Sequence, residues 1–223
     1  MSFKSTINWP DIQCLTIDGI GLSHAAQVRG LCAAGVEWIQ LRMKAATDAA
    51  VAEVATEVLP VCRASGARLI INDRVEVARA VGADGVHLGS LDTPWPEARA
   101  ALGADFIIGG TVNSVADAER AVAAGALDYV GVGPFRFTPT KQKLAPVLSA
   151  DQWRAILATL GDLPAYAIGG ILSGDLPELR QRGLRGVAVS AGLYQADAIS
   201  ANYQAYLDQW THTQSHPAAR DAS

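Results

Sequence analysis

Charged side chains that could act together stand in short polar clusters along an otherwise apolar chain. Arg42 and Lys44 close QLRMK (40–44), Asp73 closes IND (71–73), Asp92 ends LD (91–92), and Lys141 ends TPTK (138–141). Hydroxyls and small residues accompany them: Thr138 and Thr140 beside Pro139, Thr111 after two glycines, the pair Gly169-Gly170, and Ser190 after Val189. Two lysines, Lys141 and Lys143, and two hydroxyls on a loop stiffened by proline suit an oxyanion such as phosphate. Carboxylates facing that anion repel it, by about 1–4 kcal/mol per close pair, unless a divalent cation lies between them. Oxygen-only ligands, few carboxylates and substrate phosphates describe Mg2+. The pattern reads as a Mg2+–diphosphate clamp with Asp73 and Asp92 as the metal ligands. The bland reading makes each aspartate only a cap for the helix after it. It weighs about the same for either residue alone, and less for the two together.

The elements that must position these residues are short β-rich runs with amphipathic segments between them. Strands are expected at 12–18, 36–42, 67–73, 84–89, 105–110, 128–133, 164–170 and 185–190. Helical stretches such as 23–35, 47–66 and 114–125 open on Ser23, Thr47 and Ser114 and close on Gly35, Gly66 and Gly125, as helix caps do. Strand and helix alternating in this way require a parallel sheet, because parallel strands need crossovers. Eight evenly spaced units predict an α/β fold, a single-domain (β/α)8 TIM barrel over residues 1–210. The runner-up is a doubly wound open sheet. The polar tail 211–223 shows no periodicity and is expected to fray. In such a barrel the active site lies at the C-terminal ends of the strands, which is where the charged clusters fall. The glycines ending the seventh and eighth strands suit a second phosphate site there, although ordinary turn chemistry explains a GG pair equally well.

Composition sets outer bounds. The chain has 223 residues, half of them hydrophobic, and a net charge of −4. That is enough for a full core and argues against a nucleic-acid partner. Three cysteines, Cys14, Cys32 and Cys62, lack metal-type spacing and read as small buried hydrophobes. The N-terminal residues lack the apolar region of a signal peptide, and no stretch is long enough to span a membrane. The expected setting is the cytoplasm, with small phosphorylated molecules as partners and a homo-oligomer left open. His87, inside GVHLG, reads as a satisfied core histidine rather than a base. His24, His212 and His216 read as surface residues, and Trp95 between Pro94 and Pro96 as the start of a helix. No nucleophile has a paired base.

The stretches QLRMK (40–44), INDRVEVARAVGADGVHLG (71–89), LD (91–92), YVGVGP (129–134), TPTK (138–141), AIGGI (167–171) and VAVSA (187–191) occur in one order. In that order they resemble the thiamine phosphate synthase family, and more broadly its superfamily with the thiazole tautomerases. The resemblance implies a Mg2+-dependent transferase that joins hydroxymethylpyrimidine diphosphate to a thiazole phosphate, or its carboxylate, releasing diphosphate. It implies that Gln40, Arg42, Lys44, Asn72, Thr111 and Lys141 hold the pyrimidine diphosphate, and that Asp73 and Asp92 hold Mg2+. Thr138, Pro139, Thr140, Gly170, Val189 and Ser190 would hold the thiazole phosphate, with Gly169 beside them. Arg42, Lys44, Thr111 and Lys141 would act on the leaving group.

The chain departs from that pattern at several positions. Met43 stands where an acidic residue is frequent, Ser90 where Gln is, Thr111 where Ser is, and Asn113 where His is; the stretch after Lys141 lacks a customary Gly. In the tautomerases that histidine is associated with proton movement, so Asn113 argues against a thiazole tautomerase. A non-catalytic binder of pathway phosphates is the third alternative.

Overall fold

The computed structural model describes residues 9–137 and 146–212. Strands β1 (Ile12–Leu15), β2 (Trp38–Leu41), β3 (Arg68–Asn72), β4 (Gly85–Leu88), β5 (Ile107–Val112), β6 (Tyr129–Val132), β7 (Ala165–Ile168) and β8 (Gly186–Val189) alternate with helices. These are α1 (His24–Ala33), α2 (Asp48–Ser65), α3 (Val75–Val81), α4 (Trp95–Leu102), α5 (Val115–Ala124), α6 (Ala150–Leu160), α7 (Leu176–Gln181) and α8 (Ile199–His212). Every strand runs parallel to its neighbours, and β8 returns to β1 to close a barrel. The fold is the expected (β/α)8 barrel and not the open sheet.

The strands are mostly shorter than the apolar runs suggest. The first ends at Leu15 rather than residue 18, and the seventh covers Ala165–Ile168 rather than 164–170. The difference is physical: the run continues beyond the ladder as the polar rim, where the backbone turns toward the next helix. At the other end of the chain, Thr211 and His212 complete α8, so these two positions of the expected tail are helical.

Side-chain alternation divides the core in two. Positions such as Ile39, Leu41, Leu69, Ile71, Val86, Leu88, Val130, Val132 and Val187 meet the helices in one large apolar cluster. The alternate positions point into the barrel. Trp38, Ile70, Ile107, Tyr129 and Tyr166 fill its lower part, with Trp9 packed against them. Aromatic rings fit there because glycines stand opposite. A Cβ on Gly109 would lie 2.2 Å from the Tyr129 ring. One layer nearer the rim the interior turns polar, with Gln13, Gln40, Asn72 and His87 all buried.

Helix caps match the sequence signals. Ser23, Thr47 and Ser114 each accept the backbone N–H three residues on, worth about 1 kcal/mol apiece. Ser149 and Gln152 add a reciprocal capping box at the start of α6. Trp95 begins α4 behind Pro94, as expected. The three cysteines are free and buried. At the lower end carboxylates serve the backbone: Asp84 accepts from Leu69 N, and Asp128 accepts from Ile108 N and from Arg99.

Candidate functional site

The upper rim gathers the polar residues that the sequence scatters over 150 positions. Arg42 and Lys44 follow β2, Asn72 ends β3 and Asp73 follows it. Asp92 lies beyond β4, and Thr111 sits near the end of β5. Gly169 and Gly170 follow β7, and Ser190 follows β8. Thr138, Pro139, Thr140 and Lys141 lie outside the described residues.

Asp73 is the centre of the cluster. Its backbone has φ +67°, in the left-handed region, which aspartate tolerates better than most residues. Its N–H donates to the His87 carbonyl at 2.8 Å, anchoring the turn. Its Oδ2 pairs with Lys44 Nζ. Asp92 curls back so that its Oδ2 accepts the Gly89 N–H at 2.6 Å, and its carboxyl meets that of Asp73. Burial raises the proton affinity of Asp73, but its hydrogen bonds to Lys44 and Asp92 and the Lys44 charge outweigh it, so the carboxyl is held below the usual range. Burial and the Asp73 carboxylate push Asp92 up, against the Gly89 N–H and Lys44. Two acids forced together in this way resolve their repulsion by sharing a proton or a cation. Burial lowers the Arg42 guanidinium, with Asp18 and Asp73 pulling it back; it stays charged at any physiological pH.

The donor set fits a hard divalent ion held partly by its substrate. Asp73 and Asp92 offer carboxylate oxygens only, and the described residues contain no group of three or more His, Cys, Asp or Glu placed to hold a metal alone. The remaining ligands of such an ion would be phosphate oxygens and water, as is usual for Mg2+. Asn72 Nδ2 and Ser190 Oγ are buried without a hydrogen-bond partner among the described residues. Such groups cost about 1–3 kcal/mol unless a ligand satisfies them. Both belong to residues singled out from the sequence.

The structure corrects the expectation for His24. His24 is not a surface residue: its side chain is 13% exposed, because Thr16 Oγ1 holds Nδ1 at 2.9 Å and Asp18 Oδ1 holds Nε2 at 3.1 Å. Thr16 also accepts from Arg42 N, and Asp18 from Lys44 N. This trio after β1 therefore shapes the backbone that carries both cations. Sequence reasoning missed it, although Asp18 is the polar residue that ends the expected strand 12–18. It also missed Arg136, whose guanidinium reaches the Gly170 carbonyl at 2.6 Å and both oxygens of Asp175 at 2.7 and 2.9 Å. Arg136 N donates to Gly169 O at 3.0 Å, so the root of the β6 loop is fastened to the two glycines. Val189 points its side chain into the outer apolar cluster, leaving only its backbone on the rim.

Sequence comparison decides what kind of mouth this is. The family described as thiamine monophosphate synthase matches residues 14–193. The chain belongs to the thiamine monophosphate synthase family. Among its relatives, the thiamine-phosphate synthase of Bacteroides fragilis is 44% identical over 189 residues, covering 83% of this chain and 92% of that one. That of Salinispora arenicola is 42% identical over 165 residues, covering 74% and 78%. The solved thiamine phosphate pyrophosphorylase from Pyrococcus furiosus superposes with a TM-score of 0.80 at 28% identity, over 91% of this chain and 96% of that one. The departures from the thiamine monophosphate synthase pattern now have places. Met43 packs in the outer apolar cluster. Asn113 donates from Nδ2 to the Gly133 carbonyl, and its backbone N–H donates to Asp117 Oδ2 at 2.9 Å. It braces β5 against β6.

Proposed function

We propose that this rim catalyses thiamine phosphate formation by transferring a pyrimidinylmethyl group from its diphosphate to the ring nitrogen of thiazole phosphate. The bond from the methylene carbon to the diphosphate oxygen breaks, and its electron pair leaves with diphosphate. The thiazole nitrogen lone pair forms the new C–N bond. Arg42, Lys44 and Lys141 lower the energy of the departing anion by charge and hydrogen bonding. Gln40, Asn72 and Thr111 orient the pyrimidine diphosphate. Thr138, Thr140, Gly170 and Ser190 receive the thiazole phosphate, with Pro139, Gly169 and the Val189 backbone shaping that side. Asp73 and Asp92 hold Mg2+, which when bound supplies charge neutralisation to the diphosphate. No protein nucleophile is needed, so catalysis rests on charge stabilisation and on positioning, worth up to about 7–11 kcal/mol.

The observation that supports this reading most is the contact of Asp73 with Lys44 on one side and Asp92 on the other. That arrangement is costly unless a cation and an anion join it. The described residues contain no helix long and apolar enough to cross a membrane, and phosphorylated substrates fit a cytoplasmic setting. The test is a mixed-substrate assay: both compounds and Mg2+ together must yield diphosphate and thiamine phosphate. Isomerisation of a single thiazole compound would favour the tautomerase reading, and binding without turnover the non-catalytic one.

A further inference from the structure

A file of buried polar groups runs through the barrel beneath the rim. Gln40 Nε2 donates to Gln13 Oε1 at 3.2 Å, and Gln13 Nε2 donates to the Tyr129 hydroxyl at 3.0 Å. His87 bridges onward, with Nδ1 3.0 Å from the Tyr129 hydroxyl and Nε2 3.0 Å from Thr111 Oγ1. The file thus joins β2, β1, β6, β4 and β5. Space for it is built in: Gly109 makes room for the Tyr129 ring, and a Cβ on Gly131 would lie 3.4 Å from His87 Cε1.

The direction of each bond follows from donor counting. Gln13 spends its carbonyl oxygen on Gln40 and donates to Tyr129. The phenol accepts that bond, so its one proton points to His87 Nδ1. Burial keeps the phenol protonated. Nδ1 is then an acceptor, Nε2 carries the imidazole hydrogen, and Thr111 Oγ1 receives it. The hydrogen of Thr111 is left to point elsewhere. Phosphate oxygens only accept, so a threonine serving a diphosphate must donate. With the other imidazole tautomer, Thr111 would donate to His87 and turn a lone pair toward the anion.

We propose that His87 is a positioning residue for this transfer, fixed by Tyr129 in the tautomer that makes Thr111 a hydrogen-bond donor toward the diphosphate substrate. The inference rests on the reading that Thr111 touches that substrate. It assigns the buried histidine a role that burial alone does not require.

Two measurements test it. Nitrogen-15 NMR of histidine-labelled protein should show His87 neutral with hydrogen on Nε2, and Tyr129→Phe should weaken that preference. In steady-state kinetics, Thr111→Val and His87→Phe should each lower kcat/KM for the pyrimidine diphosphate at least about tenfold, the scale of one hydrogen bond to a charged group. The double variant should lose no more than the worse single one. His87→Gln, whose amide nitrogen can take the place of Nε2, should recover part of the activity. Hydrogen on Nδ1, additive losses in the double variant, or His87→Gln no better than His87→Phe would each overturn the proposal. If His87→Phe fails to fold, Tyr129→Phe carries the same kinetic test, because it removes the hydroxyl that sets the tautomer while leaving the imidazole in place. Full activity in Thr111→Val together with an intact Nε2–H signal would instead refute the substrate role of Thr111, and the proposal with it.

Discussion

Lys44 Nζ sits against Asp73 Oδ2, an ion pair between residues 29 apart in the sequence and on neighbouring strand ends. The lysine side chain is 45% exposed and the aspartate 18%. An isolated pair of this exposure contributes little to stability, about 0–1 kcal/mol. Its placement beside a second carboxylate makes sense as preparation for a metal and an anion.

Neutralising one acid of the pair should therefore separate stability from activity. Asp92→Asn keeps an oxygen for the Gly89 N–H but removes the repulsion with Asp73. In metal-free buffer at neutral pH its Tm should equal or exceed that of the wild type. Its turnover should fall at least about a hundredfold, the scale of losing a metal role. Asp73→Asn should lose as much activity. It is a cleaner variant than Asp73→Ala, because alanine at positive φ costs about 1–2 kcal/mol by itself. Near-normal rates in both variants would refute the metal assignment.

Lys141→Ala should slow turnover at least about tenfold while its melting curve stays that of the wild type, as for a cation acting on a leaving group. Activity lost only in step with unfolding would leave the cation without a catalytic part.

The Arg136–Asp175 clasp gives a pH signature. The Arg136 guanidinium holds the Asp175 carboxyl below its ordinary value, with burial opposing and the Leu172 N–H assisting. A depressed carboxyl stabilises the fold above its unfolded pKa of about 3.9. That contribution is lost as the pH falls through the lower folded value. Asp175→Asn should lower Tm at neutral pH, and the gap to the wild type should narrow as the pH falls below about 3.9. A constant gap across that range would show that the carboxylate charge is not what matters.

Gly109→Ala should destabilise by at least about 1–3 kcal/mol in urea unfolding, the usual cost of overpacking. Its Cβ would land inside the Tyr129 ring, whose hydroxyl would be only 2.4 Å away. Tyr129→Phe combined with Gly109→Ala should recover little, since the ring carbons remain in the way. Full recovery would show that the hydroxyl alone sets the clash.

Much of this was legible before any coordinates. Short β-rich runs alternating with capped helical stretches imply the barrel, and the barrel rule then sends Arg42, Lys44, Asn72, Asp73, Asp92, Thr111 and Ser190 to one rim. What stayed hidden depends on partners distant in sequence. His24 looks like a surface residue until Thr16 and Asp18 are seen to flank it. Arg136 looks like a loop cation until the β7 glycines and Asp175 arrive beside it. The family resemblance places Val189 in the site, yet strand alternation turns its side chain to the helices. Gln13 and Tyr129 read as ordinary strand residues because a hydrogen-bond file crossing five strands leaves no local pattern.

The most direct test of the central claim is the affinity for Mg2+ measured by calorimetry with and without diphosphate. Two carboxylates alone should bind the ion weakly, and diphosphate should tighten it at least about tenfold, a coupling of about 1.4 kcal/mol. That coupling should vanish in Asp73→Asn and in Asp92→Asn. Equal Mg2+ affinity with and without diphosphate, or coupling that survives both substitutions, would contradict the account.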